Sequence, residues 1–406
     1  MFEARGRPAA EPRREAGGEG GVRKLNVYLL MFGWTLFSVF LYSRFSTLGD
    51  SHGYMTGAFD DEHAARTLMI MHIAETVMGI VHSELLAHMA FAGFSATGVV
   101  FLIKHAKPRG RYRWPLLAIL LTPNFGVWAS VSGRESMFIG LCGLFMGSVL
   151  GYWRKPSLHL ALLALICCAG MIFIRSPYGI GMSLFWLMFL AYRSGPRIGF
   201  TLGVQAVLFV AAGALVVSLG WPFLDAYISG DVLPTAVGYF SLGSDNTRTW
   251  IHLDTTWEFL ASLWWSLPLA LVGPTPAEVL ARPVMFPFFL SGLVIMGSFL
   301  NSILVAFRAP RGLVRKILLL GWLPAMLMIV IAYVPFGIYN SGSAIRYASC
   351  FLLFLAFPSM MMSALAADAR DEEGQLPPLW QDHAFGDDEV LQAGRHPLEL
   401  NEGKAW

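Results

Sequence analysis

The residues best suited to chemistry in this 406-residue chain are carboxylates and arginines that adjoin long apolar runs. Asp50 follows the first apolar run, and Asp60 and Asp61 lie further along the same polar segment. A carboxylate in such a place can accept a proton from a hydroxyl group, or hold a divalent cation against a phosphate. A hydrated polar loop without any chemical role would have a similar composition. Asp50, Asp60 and Asp61 are therefore candidate catalytic residues.

A second candidate is the short turn Ser132-Gly133-Arg134-Glu135-Ser136, which separates two apolar runs. Ionisable side chains at membrane depth usually face the protein interior and pair with another group. Glu135 is therefore a candidate catalytic residue, and Arg134 is a candidate substrate-binding residue. The alternative is an ion pair that only closes a tight turn.

Arginines also stand at the ends of other apolar runs. Arg175 opens the turn Arg-Ser-Pro-Tyr, and Arg346-Tyr347 begins the last run. An arginine at the end of a membrane span can simply extend its charge into water. A guanidinium group also binds phosphate through two parallel hydrogen bonds. We therefore predict that Arg175, Arg346 and Tyr347 contact an anionic substrate.

The polar segment 244–252 combines hydrogen-bonding groups with an aromatic ring and includes Arg248, Trp250 and His252. Such mixtures bind sugars, because the aromatic ring covers the apolar face of the sugar while polar groups bind its hydroxyls. Ordinary loops contain the same residue types. The segment is a candidate substrate-binding region.

No metal site is predicted from the histidines or the cysteines. His72, Glu75, Gly79 and His82 share one face of a predicted helix, which is more typical of a wet helix face than of a metal site. The four cysteines lie inside apolar runs and are interpreted as buried hydrophobic residues: Cys142, Cys167, Cys168 and Cys350. No cofactor is predicted, and the acidic residues after the first run are the place where a divalent cation could bind.

The composition defines the class of protein that must position these residues. Hydrophobic residues make up 55% of the chain and charged residues 14%, whereas ordinary soluble domains carry about 25% charged residues. We therefore predict an all-α polytopic integral membrane protein with about ten transmembrane helices, each about 20 residues long. The predicted spans are 25–43, 85–103, 114–131, 136–152, 157–174, 178–192, 199–220, 284–307, 316–336 and 347–366.

The remaining segments complete the predicted organisation of a single transmembrane domain, 25–366. Two long external segments are predicted, 44–84 and 221–283. The first is expected to carry an interfacial or re-entrant helix over 68–81, and the second an interfacial helix over 255–272. The third span contains Pro123-Asn124, so we predict a broken helix there. The tails, 1–24 and 367–406, are predicted to be disordered and cytoplasmic.

Basic residues predict the orientation in the membrane. With both termini inside, 22 of the 29 Lys and Arg residues fall on the cytoplasmic side, as the positive-inside rule requires. The acidic residues outside the tails all fall on the other side. Carboxylate chemistry is therefore expected on the external face, and the basic loops do not indicate nucleic-acid binding.

Three short motifs resemble those of a known family. The stretch Pro123-Asn124-Phe125-Gly126-Val127-Trp128-Ala129-Ser130-Val131-Ser132-Gly133-Arg134-Glu135-Ser136 resembles a segment of polytopic bacterial proteins encoded in surface-polysaccharide gene clusters. In those proteins a Trp-Ser pair and a Gly-Lys-Asp/Glu turn follow a proline in this order. Here Ala129 separates Trp128 from Ser130, and Arg134 replaces the lysine.

The other two motifs lie towards the end of the chain. Leu271-Val272-Gly273-Pro274-Thr275-Pro276 resembles a Pro-x-Pro turn of the same proteins but lacks the tryptophan that often follows it, and Ile345-Arg346-Tyr347 resembles an Arg-Tyr pair that opens their last span. Those proteins are exopolysaccharide or O-antigen polymerases, or membrane glycosyltransferases of the GT-C type.

The resemblance implies a glycosyltransferase or polysaccharide polymerase of the bacterial inner membrane that faces the periplasm. Its donor would be a polyprenyl-(pyro)phosphate-linked glycan. Asp50, Asp60 or Asp61 would match, by position only, the acidic residue that GT-C enzymes carry in the first external loop. Membrane lipid and other polysaccharide-assembly proteins are the expected partners. The alternatives are a ligase that transfers a finished glycan to a lipid, a transporter or flippase for lipid-linked glycans, and a non-catalytic subunit of an envelope assembly complex.

Overall fold

Helices form the whole regular structure of the residues that the computed structural model describes, which are 24–46, 48–59, 64–194, 200–241 and 247–373. In chain order they are α1 Lys24–Phe40, α2 Ser51–Thr56, α3 Ala65–Val81, α4 Glu84–Ala106, α5 Trp114–Leu120, α6 Pro123–Ala129, α7 Arg134–Arg154, α8 Leu158–Ile174, α9 Ser176–Ser194, α10 Leu202–Tyr227, α11 Leu233–Ser241, α12 Thr256–Val272, α13 Pro276–Ala281, α14 Phe286–Arg308, α15 Leu313–Lys316, α16 Leu323–Tyr339, α17 Ser341–Ala348, α18 Leu352–Leu355 and α19 Phe357–Glu373. Short 3₁₀ or π segments extend several of them.

Seven helical stretches within these ranges are long and apolar enough to cross a membrane. They are Lys24–Arg44, Glu84–Ala106, Arg134–Arg154, Leu202–Gly238, Pro283–Arg308, Leu313–Tyr339 and Ser341–Ala369. Large apolar side chains such as Val207, Leu219 and Phe223 are exposed on α10, as expected for a surface that lies in lipid. The chain is thus an all-α polytopic membrane protein, as predicted. The predicted count of ten spans stays a prediction.

The predicted break in the third span is present. The helix stops after Leu120, and α6 begins at Pro123, whose ring cannot donate a backbone hydrogen bond. The carbonyl of Leu120 instead accepts a hydrogen bond of 3.1 Å from Trp34 Nε1 on α1. The carbonyl of Ser130, just after α6, accepts one of 3.1 Å from Thr35 Oγ1. Side chains of α1 therefore satisfy backbone groups that the break releases.

Glycines bring α4 and α7 into close contact. A Cβ atom on Gly98 would collide with the backbone of Gly140, so only glycine permits this separation of the two helices. Further along both helices, Phe101 packs on Gly147. Because the contacting residue numbers increase together along both helices, α4 and α7 are parallel. Their first turns therefore lie at the same end of the bundle.

The two ends of α7 mark the two ends of the helical bundle. Arg134 starts α7 and Arg154 ends it, and at 1.5 Å per residue they lie about 30 Å apart along the helix. Arg154 Nε is 2.9 Å from Asp368 Oδ1 on α19. This ion pair ties the last turns of α7 to α19, which continues to Glu373, beyond the predicted end of the last span at 366. The predicted disorder of the tail 367–406 stays a prediction.

The predicted external segments are largely helical. The helices expected over 68–81 and 255–272 are present as α3, which starts three residues earlier than predicted, and α12. The helix predicted to end at 220 continues through Tyr227, a π segment and α11 to Ser241. Asp225 therefore lies within α10, and Gly230 lies within the π segment Ile228–Val232. Whether these segments face the periplasm stays a prediction.

Candidate functional site

Five charged residues from distant parts of the sequence lie together at the end of the bundle where α7 begins. Asp50 precedes α2, Arg134 and Glu135 form the first turn of α7, Arg175 lies between α8 and α9, and Arg346 is on α17. We call these five residues the charge cluster. All five are residues that the sequence singled out, but nothing in the sequence indicated that they contact one another.

Glu135 is the buried centre of the charge cluster, with 3% of its side chain exposed. Its Oε1 atom accepts a hydrogen bond of 2.7 Å from Arg346 Nε and another from Arg175 Nη2. One carboxylate therefore holds two guanidinium groups. Such charge-assisted hydrogen bonds are stronger than neutral ones and fix the two arginines in position.

Asp50 is the outer carboxylate of the charge cluster, with 35% of its side chain exposed. Its Oδ2 atom accepts a hydrogen bond of 2.8 Å from Arg346 Nη2 and a longer one of 3.4 Å from Arg134 Nη2. Arg346 therefore bridges both carboxylates. Asp50 has the weaker hold on its partners and the better access to solvent.

The charge cluster carries an excess of positive charge. Three arginines face two carboxylates, which leaves one net positive charge among the described residues. The Nε atoms of Arg134 and Arg175 are buried and have no hydrogen-bond partner within the described ranges. Buried polar groups are nearly always satisfied in native proteins. The excess charge and these free donors together make the cluster suited to an anion.

Aromatic rings cover the guanidinium groups. Arg175 Cζ lies 4.3 Å from the ring centroid of Tyr347, and Arg346 Cζ lies 5.3 Å from that of Trp128. A guanidinium group stacks favourably on the face of an aromatic ring, more so when water is excluded. Tyr347, predicted to bind substrate, therefore contacts Arg175 and Arg346 within the cluster.

Local structure places Arg346 in the charge cluster. Asn340 caps α17, because its Oδ1 atom accepts a hydrogen bond of 3.0 Å from the backbone N–H of Ser343. The hydroxyl of Tyr333 on α16 lies 2.9 Å from the carbonyl oxygen of Ala344 and 2.6 Å from that of Ala270, and so links α17 to α16 and α12. Arg346, one turn further along, is directed towards Glu135.

Two residues that the sequence did not single out support the cluster. Gly49 has a φ of +62°, and a Cβ atom there would lie 2.7 Å from Arg346 Nη1. His88 on α4 is buried, and its Nδ1 accepts hydrogen bonds from the backbone N–H (2.9 Å) and hydroxyl (2.7 Å) of Ser132. His88 thereby holds the turn that leads into Arg134. A lone histidine inside an apolar run was the signal that could have found it.

Tyr54 on α2 is fully buried beside the charge cluster, and its hydroxyl has no partner among the described residues. Burial raises the pKa of Tyr54 to about 12, although the nearby positive charge of Arg134 acts in the opposite direction. The phenol therefore stays protonated at neutral pH and can donate a hydrogen bond.

Arg248 lies outside the charge cluster and is bound by other protein groups, and its predicted ligand role stays a prediction. Its Nε and Nη2 atoms each donate to the carboxylate of Glu278 at 2.8 Å, and its Nη1 donates to the carbonyl of Ile338 at 3.0 Å. Protein acceptors thus occupy all three nitrogens of this buried side chain. Burial alone would raise the pKa of Glu278, but its hydrogen bonds and the charge of Arg248 bring the pKa below its ordinary value. Arg248 fixes the loop after 247 to α13 and α16.

The other predicted site residues lie outside the cluster. Trp250 and His252 are exposed, and the Trp250 ring centroid lies 6.3 Å from that of Trp265. Asp60 and Asp61 lie outside the described residues. His72 pairs with Glu75 at 3.3 Å on the exposed side of α3, and the described ranges hold no group of three or more metal-ligating side chains. The four cysteines are buried, as predicted.

The fold and the site define a multi-pass, all-helical membrane protein with a buried charge cluster at one end of its bundle. No protein-family model matches the chain, no curated protein sequence matches it, and no solved structure matches its fold. Function is therefore inferred from the chemistry of the charge cluster.

Proposed function

We propose that this protein is a glycosyltransferase of the bacterial inner membrane, of the polysaccharide polymerase type. Its donor is a glycan linked to a polyprenyl (pyro)phosphate, and the reaction takes place on the periplasmic face. The observation that carries the proposal is the charge cluster, in which Arg134, Arg175 and Arg346 surround two carboxylates with positive charge in excess.

The position of the cluster suits a lipid-linked substrate. Arg134 is the first residue of one membrane-length helix, and Arg346 lies near the start of another. The pyrophosphate of a polyprenyl carrier lies at that depth, since its tail is in the bilayer and its charge at the interface. The exposed apolar surface of the bundle is compatible with the carrier's hydrocarbon chain.

The residues of the cluster divide the chemistry between them. A hydroxyl group of the acceptor attacks the anomeric carbon of the donor sugar, and the bond from that carbon to the phosphate oxygen breaks. Asp50 takes the hydroxyl proton, because it is the carboxylate with access to solvent. The pyrophosphate leaves as an anion that the arginines stabilise. Glu135, buried between Arg175 and Arg346, positions them and does not itself act as the base.

The test replaces Arg346 by lysine and compares it with Arg154→Lys. Both arginines are mostly buried and bond to carboxylates, but Arg154 lies at the opposite end of α7. A lysine cannot reproduce the forked donors of a guanidinium group. Loss of a contact that strengthens as the pyrophosphate leaves should slow the reaction about 100-fold or more in Arg346→Lys, with little change in Arg154→Lys. The measurement is polymer amount and length at equal protein level in cells that lack the wild-type copy.

The same experiment separates the alternatives. If the protein is a ligase, Arg346→Lys should leave polymer length unchanged and reduce only the transfer of the polymer to the lipid acceptor. If the protein is a flippase, Arg346→Lys should cause lipid-linked repeat units to accumulate on the cytoplasmic face. Wild-type polymer from Arg346→Lys cells would mean that Arg346 is only an anchor at the membrane interface, and it would refute the proposed function.

A further inference from the structure

We infer that the Oδ2 atom of Asp50 marks the position of an anionic oxygen of the substrate, and that the substrate binds by displacing this carboxylate. The inference rests on the proposed function, because it concerns how a diphosphate enters the charge cluster. It adds a binding position, an order of events and a second role for Asp50.

The geometry around Asp50 is that of a bound phosphate oxygen. A single oxygen atom receives N–H groups from two arginines, at 2.8 Å from Arg346 and 3.4 Å from Arg134. These two arginines come from α17 and α7, so the carboxylate lies between two separate elements. Guanidinium groups use the same donors for carboxylate and phosphate oxygens. An incoming diphosphate therefore competes with Asp50 for the same N–H groups.

Of the two carboxylates, Asp50 is the one that can leave. Glu135 is 3% exposed and accepts hydrogen bonds from both Arg175 and Arg346, so its removal would strand two buried charges. Asp50 is 35% exposed and lies between Gly49 and the six-residue helix α2. Its carboxylate already borders solvent, so water can hydrate it when a ligand takes its place.

Displacement of Asp50 also changes the charge that the ligand meets. With Asp50 turned away, three guanidinium groups face the single carboxylate of Glu135, and the local excess rises from one positive charge to two. That excess positive charge matches the negative charge of a diphosphate group, whereas a neutral sugar carries no charge to balance it. The released Asp50 carboxylate is no longer bound to guanidinium groups, so it becomes free to accept the proton of the second substrate. Donor binding therefore precedes and enables activation of the acceptor.

The test measures binding of farnesyl diphosphate and of inorganic pyrophosphate to the detergent-solubilised full chain by calorimetry. Asp50→Asn removes the competing charge and keeps the size of the side chain. Its matched control is Asp368→Asn, since Asp368 is equally exposed and pairs with Arg154 at the opposite end of α7. Asp50→Ala is a second variant with the same expectation, in case the asparagine variant does not fold.

We expect Asp50→Asn to bind farnesyl diphosphate about five-fold more tightly than the wild type, the upper end of the effect that corresponds to removal of one partly exposed ion pair. Asp368→Asn should bind like the wild type. Asp50→Asn should nevertheless make no polymer, because the base is gone. Tighter binding with lost turnover is not expected from a merely structural residue.

Three outcomes would overturn the inference. Equal or weaker diphosphate binding by both Asp50 variants would refute displacement while leaving the proposed function intact, provided that the wild type binds. Equally tightened binding in Asp368→Asn would show a general effect of charge. Absence of farnesyl diphosphate binding in all variants would refute the inference and the proposed donor together. Tightening for farnesyl diphosphate alone would identify a lipid-linked diphosphate as the ligand, whereas equal tightening for pyrophosphate would identify the free anion.

Discussion

Replacement of Glu135 by glutamine should strongly destabilise the folded protein. Glutamine has nearly the same size as glutamate, so no cavity forms. It removes the negative charge that Arg175 and Arg346 share. Its amide nitrogen is a hydrogen-bond donor, whereas the two guanidinium groups around it require acceptors. Asp50 then remains as the only carboxylate of the cluster to face three guanidinium groups.

The magnitude follows from burial. Glu135 is 3% exposed, and its two partners are 14% and 15% exposed, so little water can replace the lost charge. Breaking a buried ion pair by removing one partner costs about 3–5 kcal/mol. At 1.4 kcal/mol for each factor of ten, the unfolding equilibrium should shift by about 100-fold or more. The corresponding loss for Asp50→Asn should be at most about 1 kcal/mol, since Asp50 is partly solvated.

The assay is thermal unfolding of the purified protein in detergent, with the two single variants compared on the same scale. A third variant combines Glu135→Gln with Arg175→Gln, which removes one stranded guanidinium group. The double variant should be more stable than the sum of the single changes implies, by about 0.5–3 kcal/mol of coupling.

Two results would refute this reasoning. Stability of Glu135→Gln within experimental error of the wild type would mean that the ion pairs contribute nothing to the fold. Additive effects in the double variant would mean that Glu135 and Arg175 do not interact. Stable Glu135→Gln protein with normal polymer would exclude both a catalytic and a positioning role.

The remaining predictions concern the support of Arg346 and the second ion pair. Gly49→Ala should cost about 1–2 kcal/mol of stability because of the positive φ, and it should also displace Arg346 and lower activity. The control is Gly110→Ala, which has a similar φ and no neighbour within 4 Å and should therefore lose stability only. Equal activity of the two variants would contradict a clash between residue 49 and Arg346. Because the pKa of Glu278 is lowered in the folded state, its pairing with Arg248 should stabilise the protein fully above about pH 5 and lose this effect as the pH falls below the ordinary glutamate value of about 4.3. The stability difference between wild type and Glu278→Gln should therefore shrink at low pH, and a difference that is independent of pH would refute this role.

The sequence predicted the class and part of the architecture for reasons that are local. Twenty apolar residues in a row can only be accommodated in lipid or in a large core, so length and composition were sufficient. Pro123 lacks a backbone donor, so the break between α5 and α6 could be placed to within a few residues. The ends of some spans were less reliable, since α10 continues past 220 to Tyr227 and α19 continues past 366 to Glu373; a single charge such as Asp225 or Asp368 does not by itself end a helix.

Candidate residues could also be selected from the sequence, because an ionisable side chain near a membrane span needs a reason to be there. Asp50, Glu135 and Arg346 met that criterion, and they lie together. Arg248 met it equally well, yet its nitrogens are bound by Glu278 and backbone carbonyls. Residue type alone cannot distinguish an arginine that awaits a ligand from one that already has its acceptors.

What the sequence determined by itself is the membrane-protein class, the broken helix and the set of charged residues that require partners. What only the tertiary structure decided is which partners they have. Asp50 and Arg346 are separated by 296 positions, and hydropathy does not specify how each apolar helix is rotated about its own axis. That rotation depends on contacts such as the glycine interface of α4 and α7, where the absence of side chains lets two backbones meet and brings both first turns to the same end. The charge cluster itself is assembled by contacts between distant elements, since Glu135 on α7 binds both Arg175, between α8 and α9, and Arg346 on α17.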